Sequence, residues 1–269
     1  MTTTFVCKIG GSVIDGINPT VIDDIKNLRS QGIRTVFVHG GGDQVTSVAE
    51  KMGKRQQFVT SPEGIKSRYT DKETAEIFAM VMSGMLAKQI AQTLQKKGIN
   101  AVTLTGIDGL LLSAERKKKL IIVDDRKRKM AIEGGYTGKI IRVNTTLLET
   151  LLSSDYVPVI SPVATSEEFD LLNVDGDRAC SHVAGALRAA AAIFLTDTEG
   201  LILDNAVVPR LTTAEARSAI PRIGPGMNQK VMAAVEAVEI GAAKSVISSG
   251  LAEHPLQNAI SDNGTVITK

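Results

Sequence analysis

The sequence predicts an α/β protein built on a largely parallel sheet. Apolar, β-branched runs alternate with helix-periodic segments along all 269 residues, two of those runs stop at glycine clusters from which helical sequence resumes, and no Pro- or Ser-rich linker interrupts the series. With 43% hydrophobic and 22% charged residues the chain is long enough for one large domain or two lobes sharing a sheet.

Taken in order, Phe5 to Ile9 is a short strand that carries Lys8 and ends at Gly10-Gly11-Ser12. Asn18-Pro19 opens a helix whose apolar stripe is Val21, Ile22, Ile25 and Leu28, and Gly32 closes it. The run Arg34 to His39 stops at Gly40, Gly41 and Gly42; Val45, Val48, Ala49 and Met52 then recur at helical spacing up to Gly53. Lys54 to Lys66 reads as a loop or hairpin. Thr70-Asp-Lys-Glu73 is a capping box for a long helix with Phe78, Val81, Met82 and Met85 on one side, and Ala101 to Thr105 is the next parallel strand.

Between Leu110 and Arg142 the pattern shortens. Leu120 to Val123 and Met130 to Ile132 flank a charged turn, and Gly134 to Gly138 leads to Ile140-Ile141, which together predict a β-hairpin excursion. A Leu-rich helix (Leu147, Leu148, Leu151, Leu152) precedes the strand Tyr156 to Ile160, where Pro158 fits only if its missing N–H is tolerated. Asn173-Val-Asp-Gly-Asp177 then starts a helix through Val183 and Leu187. The strand Ala192 to Thr196 ends at Asp197 and Gly200; Gly226 precedes a helix bearing Lys230; and Lys244 to Ile247 and Thr265 to Thr268 close the sheet.

Consecutive glycines cost conformational entropy and surrender packing, so they mark places where the backbone needs positive φ or meets a ligand closely. At a helix N-terminus they also offer free N–H groups to an anion. Lys8, just before a glycine turn, adds a cation to that picture. The P-loop and dinucleotide spacings are absent, and a tight turn without ligand is the competing reading. No apolar run approaches a membrane span and the start lacks a basic leader, so a cytoplasmic protein is expected. Cys7, Cys180 and the three histidines show no metal spacing, so neither a disulfide nor a resident metal is expected; His39 reads as a packed histidine.

Six segments in order then resemble the amino acid kinase family: Lys8-Ile-Gly-Gly11, Val38-His-Gly-Gly-Gly42, Arg68 before the long helix, Asn173-Val-Asp-Gly-Asp177, Thr196-Asp-Thr-Glu-Gly200 and Gly226-Met-Asn-Gln-Lys230. Within it the chain is most similar to the acetylglutamate kinase branch. Gly135-Tyr-Thr-Gly-Lys139 and the basic hairpin before it resemble aminoadipate kinases whose substrate is attached to an amino-group carrier protein.

The resemblance implies a three-layer α/β/α sandwich, with an N-terminal lobe (about 1–165) for acyl substrate and dimerisation and a C-terminal lobe (about 166–269) for ATP, whose Mg²⁺ arrives with the nucleotide. It implies that Lys8 and Lys230 stabilise the transferring phosphoryl group and that Asp177 holds them. Gly41, Gly42, Arg68, Asn173 and Asp175 correspond to substrate contacts, and Gly10, Gly11, Thr196, Asp197, Gly200 and Gly226 to ATP contacts. Each has a plainer reading: Lys8 as an edge-strand lysine, Lys230 and Arg68 as solvated charges, Asp175 and Asp177 as ordinary helix-start residues.

Acetylglutamate kinases usually have asparagine where Asp175 stands, which weighs against simple N-acetylglutamate use. From Glu115 to Lys129 eight basic residues face three acidic ones, a net +5, while the whole chain is +2. Lys117, Lys118, Lys119, Arg126, Lys127, Arg128 and Lys129, with Lys139, therefore form a local patch able to attract an acidic carrier protein. With 3% aromatic residues and no nucleic-acid motif, nucleic acid is not the expected partner. A solvated charge run is the alternative for the patch. For the whole chain the alternatives are a plain N-acetylglutamate kinase and a non-catalytic amino-acid sensor.

Overall fold

The computed structural model describes residues 3–10, 19–62, 64–124, 126 and 128–269. Strand β1 (Thr4–Ile9), helix α1 (Pro19–Ser30), β2 (Arg34–His39) and α2 (Gly42–Lys51) form the expected βαβ opening. The 54–66 region contributes to a hairpin of β3 (Gln57–Thr60) and β4 (Lys66–Tyr69). The long helix is α3 (Lys72–Ala79), a π-helical stretch Met80–Leu86 and α4 (Ala87–Lys96), followed by β5 (Ala101–Thr105). The excursion comprises β6 (Leu112–Arg116), the hairpin β7 (Lys119–Val123) and β8 (Lys129–Glu133), and β9 (Gly138–Val143). Helix α5 (Thr146–Ser153), β10 (Val157–Ser161), β11 (Val163–Thr165) and β12 (Leu171–Asn173) lead to α6 (Gly176–Ala186) and β13 (Ala191–Thr196). The chain ends with β14 (Ile202–Leu203), β15 (Ala206–Val207), β16 (Arg210–Thr212), α7 (Thr213–Ala219), α8 (Met227–Ile240), β17 (Ser245–Ser249), α9 (Pro255–Ile260) and β18 (Thr265–Thr268).

The central sheet runs in the order β16, β18, β17, β13, β1, β2, β10, β5 and is parallel except that β18 opposes β17. Strand alternation divides its side chains between two cores. Val6, Val36, Val38, Ile160, Ala192 and Phe194 pack against α6 and α8; Phe5, Cys7, Ile9, Phe37, Val159, Ile193 and Leu195 pack against α1, α4 and α9. Helices thus cover both faces, the three-layer arrangement. The same alternation sends Lys8 to the α6 side and buries the free Cys7 thiol on the other.

Three local expectations change. The cap of α3 is Asp71, whose carboxylate accepts from Thr74 N–H, so a simple cap one residue later than Thr70 replaces the expected box; the Thr70 carbonyl instead accepts from Tyr136 N–H at 2.7 Å. The sheet ends at β16 rather than at the strand from Thr265. Helix Lys72–Lys96 is long enough to cross a membrane by length and composition, beyond what short apolar runs suggested, but Phe78, Met82, Ile90 and Leu94 bury its apolar side in the protein. Pro158 is tolerated as anticipated: β10 pairs with β2 only from Val159 onward, so the missing N–H falls before that ladder begins.

His39 ends β2 fully buried, its Nδ1 2.9 Å from the Gly40 carbonyl and its Nε2 2.8 Å from the Ser161 hydroxyl, which also lies 3.3 Å from the Met82 carbonyl. Both ring nitrogens are satisfied by a neutral imidazole, and burial pushes its pKa down to about 4 from 6.5, the Gly40 carbonyl opposing and the Lys8 charge assisting. On acidification the unfolded chain takes up a proton that the folded chain refuses. Stability therefore falls as pH drops from about 6.5 towards 4, by up to about 3 kcal/mol. Urea unfolding across this window is expected to show that loss in the wild type and a flatter pH dependence in His39→Gln; parallel slopes would assign the titration to another group.

Candidate active site at the carboxyl edge of the sheet

The carboxyl ends of β1, β2, β10 and β13 lie together, where parallel α/β sheets bind their ligands. Asp177, in the first turn of α6, sits over the end of β1. Its Oδ1 is 2.9 Å from Lys8 Nζ and its Oδ2 accepts a hydrogen bond from Lys230 Nζ at 3.1 Å. The Lys8 contact is a charge contact rather than a well-angled hydrogen bond, because buried Oδ1 has no hydrogen-bond partner. Burial drives the Asp177 carboxyl up, but the two lysines outweigh it and the net shift is downward. Lys8 is lowered by burial and raised more by Asp177; Lys230 ends below its ordinary value because burial and the Lys8 charge outweigh Asp177.

The geometry of α6 and α8 holds this trio. Gly185 lies so near α8 that an added Cβ would stand 2.3 Å from Ile240 Cγ2, and the buried Ser181 hydroxyl lies 2.6 Å from the Ala233 carbonyl. Asp175 is the N-cap of α6, accepting from Arg178 N–H at 2.9 Å. Crowding by protein and the neighbouring Asp177 charge raise its pKa, with that N–H, Lys8 and Arg178 opposing. Gly176, between the two aspartates, has Lys8 Cε and the His39 carbonyl as its neighbours, which joins the trio to the glycine turn.

At that turn Gly41 has φ 145° and caps α2; a Cβ there would lie 2.2 Å from Leu86 Cδ1. Its lack of a side chain is therefore required both by conformation and by the π-helical stretch behind it. Arg68, on β4, donates to the Gly42 carbonyl at 2.7 Å and to Thr46 Oγ1 at 2.9 Å, contacts Gln56 Oε1, and stacks on Phe58 with 5.0 Å to the ring centre. The turn and the arginine predicted to share a substrate are thus brought together. Asn173 donates through Nδ2 to Thr70 Oγ1 at 2.9 Å.

The remaining predicted positions divide. Gly10 follows β1, and Gly40 N–H donates to Ile9 O at 2.8 Å beside it; Gly11 lies outside the described residues. Thr196 ends β13 and its hydroxyl donates to Asp197, the next residue, at 3.0 Å; Gly226, at φ 87°, caps α8 ahead of Lys230. Gly200 is buried against Thr265, where a Cβ would stand 2.7 Å from Oγ1, so packing by itself already excludes a side chain there. Lys118, Lys119, Arg126, Arg128 and Lys129 are on or beside the exposed β7–β8 hairpin, with Arg128 paired to Asp124 at 2.8 Å; Lys127 is outside the described residues. Lys139 lies on β9 opposite Glu115, and Lys117 at the base of the hairpin. Gln56, Thr46 and Arg178 were not anticipated; they act through Arg68 and Asp175, and nothing in their local sequence marks them. Among the described residues no group of three or more His, Cys, Asp or Glu is placed to hold a metal.

The amino acid kinase family model matches residues 3–249. This chain belongs to that family. Membership makes it a kinase and carries ATP as phosphoryl donor. A protein of Nitrosopumilus maritimus strain SCM1, provisionally named a LysW-aminoadipate/LysW-glutamate kinase, is 54% identical over 262 residues, covering 97% of each chain. The LysW-aminoadipate/LysW-glutamate kinase of Sulfolobus acidocaldarius is 47% identical over 263 residues, covering 97% of this chain and 99% of its own. The crystal structure of smu.665 from Streptococcus mutans UA159 has the same fold, with a TM-score of 0.81 at 24% identity over 100% of this chain and 99% of its own.

Removing the shared anion isolates two cations in a site where Lys8 and Asp177 side chains are only 10% and 9% exposed. Asp177→Asn is expected to lose roughly 3–5 kcal/mol in urea unfolding, the cost of breaking a buried pair by deleting one partner. Lys8→Met combined with Asp177→Asn should recover much of that loss. A single-variant loss below about 1 kcal/mol would mean that water already screens these lysines.

Proposed function

We propose that this kinase transfers the γ-phosphoryl group of Mg-ATP to the side-chain carboxylate of α-aminoadipate, and of glutamate, held on an acidic amino-group carrier protein. The product is an acyl phosphate on the way to lysine or arginine. The observation that carries the reading is the pairing of Lys8 and Lys230 through Asp177 at the sheet edge, in a chain close to the two LysW-dependent kinases. The attacking carboxylate is already ionised, so no general base is needed. Catalysis reduces to aligning donor and acceptor and cancelling charge on the phosphoryl oxygens. Lys8 and Lys230 do this; Asp177 keeps both charged and aimed. Neutral His39, committed to Gly40 and Ser161, has no part in proton transfer.

Arg68, Asn173 and the Gly41–Gly42 turn bind the acyl substrate, and Gly10, Gly11, Thr196, Asp197, Gly200 and Gly226 surround the nucleotide, dividing the fold into acyl and ATP halves near residue 165. The +5 segment favours an acidic protein-linked substrate over free N-acetylglutamate, and Asp175 beside the acyl site weighs the same way. A homodimer in the cytoplasm completes the proposal. Trapping of the acyl phosphate by hydroxylamine is the direct test: hydroxamate with carrier-linked aminoadipate supports it, hydroxamate with N-acetylglutamate alone favours the plain kinase, and none with any acyl substrate favours a sensor.

Because the lysines act mainly on charge that appears in the transition state, Lys8→Ala and Lys230→Ala are each expected to lower kcat by roughly 10²-fold or more with a smaller change in KM. A raised KM at normal kcat would demote them to binding. Charge reversal of Lys118, Lys119 and Lys129 to Glu should reduce kcat/KM for the carrier-linked substrate by slowing association, most strongly at low salt, and spare a small acyl analogue. Equal losses on both substrates would make the hairpin a structural support.

A further inference from the structure

The small sheet of the excursion has the order β12, β11, β6, β9, and its two end strands meet: Thr137 forms an isolated bridge with Asn173, and Asn173 N–H donates to Tyr136 O at 2.9 Å. On its other side Thr137 O accepts from Lys117 N–H at 2.9 Å, continuing the register that pairs Arg116 with Gly138. Lys117, Thr137 and Asn173 therefore stand side by side across three backbone segments, where paired residues present their side chains to the same face. Strand alternation settles which face. A Cβ on Gly138 would meet Val174, Ala114 and Leu172 in the core, and Leu172 and Val174 flank Asn173, so Thr137 and Asn173 turn away from that core. Asp175 follows on the same side.

The row has unused hydrogen-bonding capacity. Thr137 Oγ1 is buried and without a partner, and such a hydroxyl costs about 1–3 kcal/mol unless something bonds to it. Asn173, next to it, is committed to Thr70 through Nδ2 alone. At the outer end Lys117 is an exposed residue whose pairing with Thr137 turns its side chain to the same face as Thr137 and Asn173; the crowding protein and the charges of Arg178 and Lys139 hold its ammonium below the ordinary range, with Asp175 opposing. One end of the row is the acyl-binding asparagine; the other is the foot of the basic β7–β8 hairpin.

We propose that this row is the track for the link between substrate and carrier: Thr137 Oγ1 hydrogen-bonds the amide that ties up the substrate's amino group, and Lys117 pairs with an anionic group of the carrier segment beyond it. The proposal rests on the carrier-linked reading for Lys117 but not for Thr137, since an N-acetylated substrate carries the same amide. It assigns Lys117 to the approach to the active site rather than to the outer patch.

The test compares kcat/KM on carrier-linked aminoadipate and on N-acetylated aminoadipate. Thr137→Val, which keeps shape and removes the hydroxyl, is expected to lose about tenfold on both amide-bearing substrates, the size of one neutral hydrogen bond, with the KM for ATP within twofold of wild type. Thr137→Ser should retain most of the activity. Lys117→Gln should cost the carrier-linked substrate at least fivefold more than the N-acetylated one. Wild-type turnover of the N-acetylated substrate alone would end the carrier reading while Thr137→Val still tests the amide contact. Losses below twofold for Thr137→Val on every substrate turned over, or equal losses in the Val and Ser variants, would overturn the proposal.

Discussion

Asp177 keeps two ammonium groups within 3.1 Å of one carboxylate, and without that anion they would repel each other in a site with little water to screen them. The requirement reaches well beyond the three side chains. Lys8 comes from a central strand, Asp177 from α6 and Lys230 from α8, so the charges coincide only if both helices are seated on the sheet to within a fraction of an ångström. That is the role of the close contact at Gly185 and of the Ser181 hydroxyl against Ala233, neither of which touches the charges.

The acyl side is ordered by a different means. Arg68 arrives on a two-stranded hairpin with little core of its own and is fixed by three polar partners and one aromatic ring. Two of the three partners, the Gly42 carbonyl and Thr46 Oγ1, belong to the turn and helix that follow β2. Movement of the hairpin away from the turn would break both of those contacts at once, while Phe58 and Gln56 travel with the arginine, so Arg68 couples the hairpin's position to the glycine turn.

Much of this was legible in the chain because the physics is local. Apolar runs located β1, β2, β10 and β13, and the glycine clusters after β1 and β2 located the ligand-facing end of the sheet. Lys8 stood out because an ammonium in an otherwise apolar run demands a partner. The partner itself, Asp177, is more than 160 residues away, and only the resemblance to known kinases joined them. Thr137 escaped notice although it lies inside a recognised motif, since a threonine hydroxyl declares itself only when burial leaves it unsatisfied. Gly200 carries a second constraint that its sequence context hides: a side chain there would collide with Thr265, from the far end of the chain. The cap at Asp71 was displaced by one residue because Thr70 is used across the site, by Tyr136 and Asn173, instead of along its own helix.

The π-helical stretch Met80–Leu86 has a geometrical consequence for the helix that contains it. Residues four apart on an α-helix advance by about 40° per step, so a row such as Phe78, Met82, Leu86, Ile90 and Leu94 would drift by about 160° and carry its far end towards solvent. A wider turn takes more residues per rotation and winds the row back. All five side chains remain buried, the first three against α2 and the last two against the central sheet. A single rod thereby acts as a shared wall between the compartment under the glycine turn and the main core, and its one departure from regular winding falls directly behind Gly41.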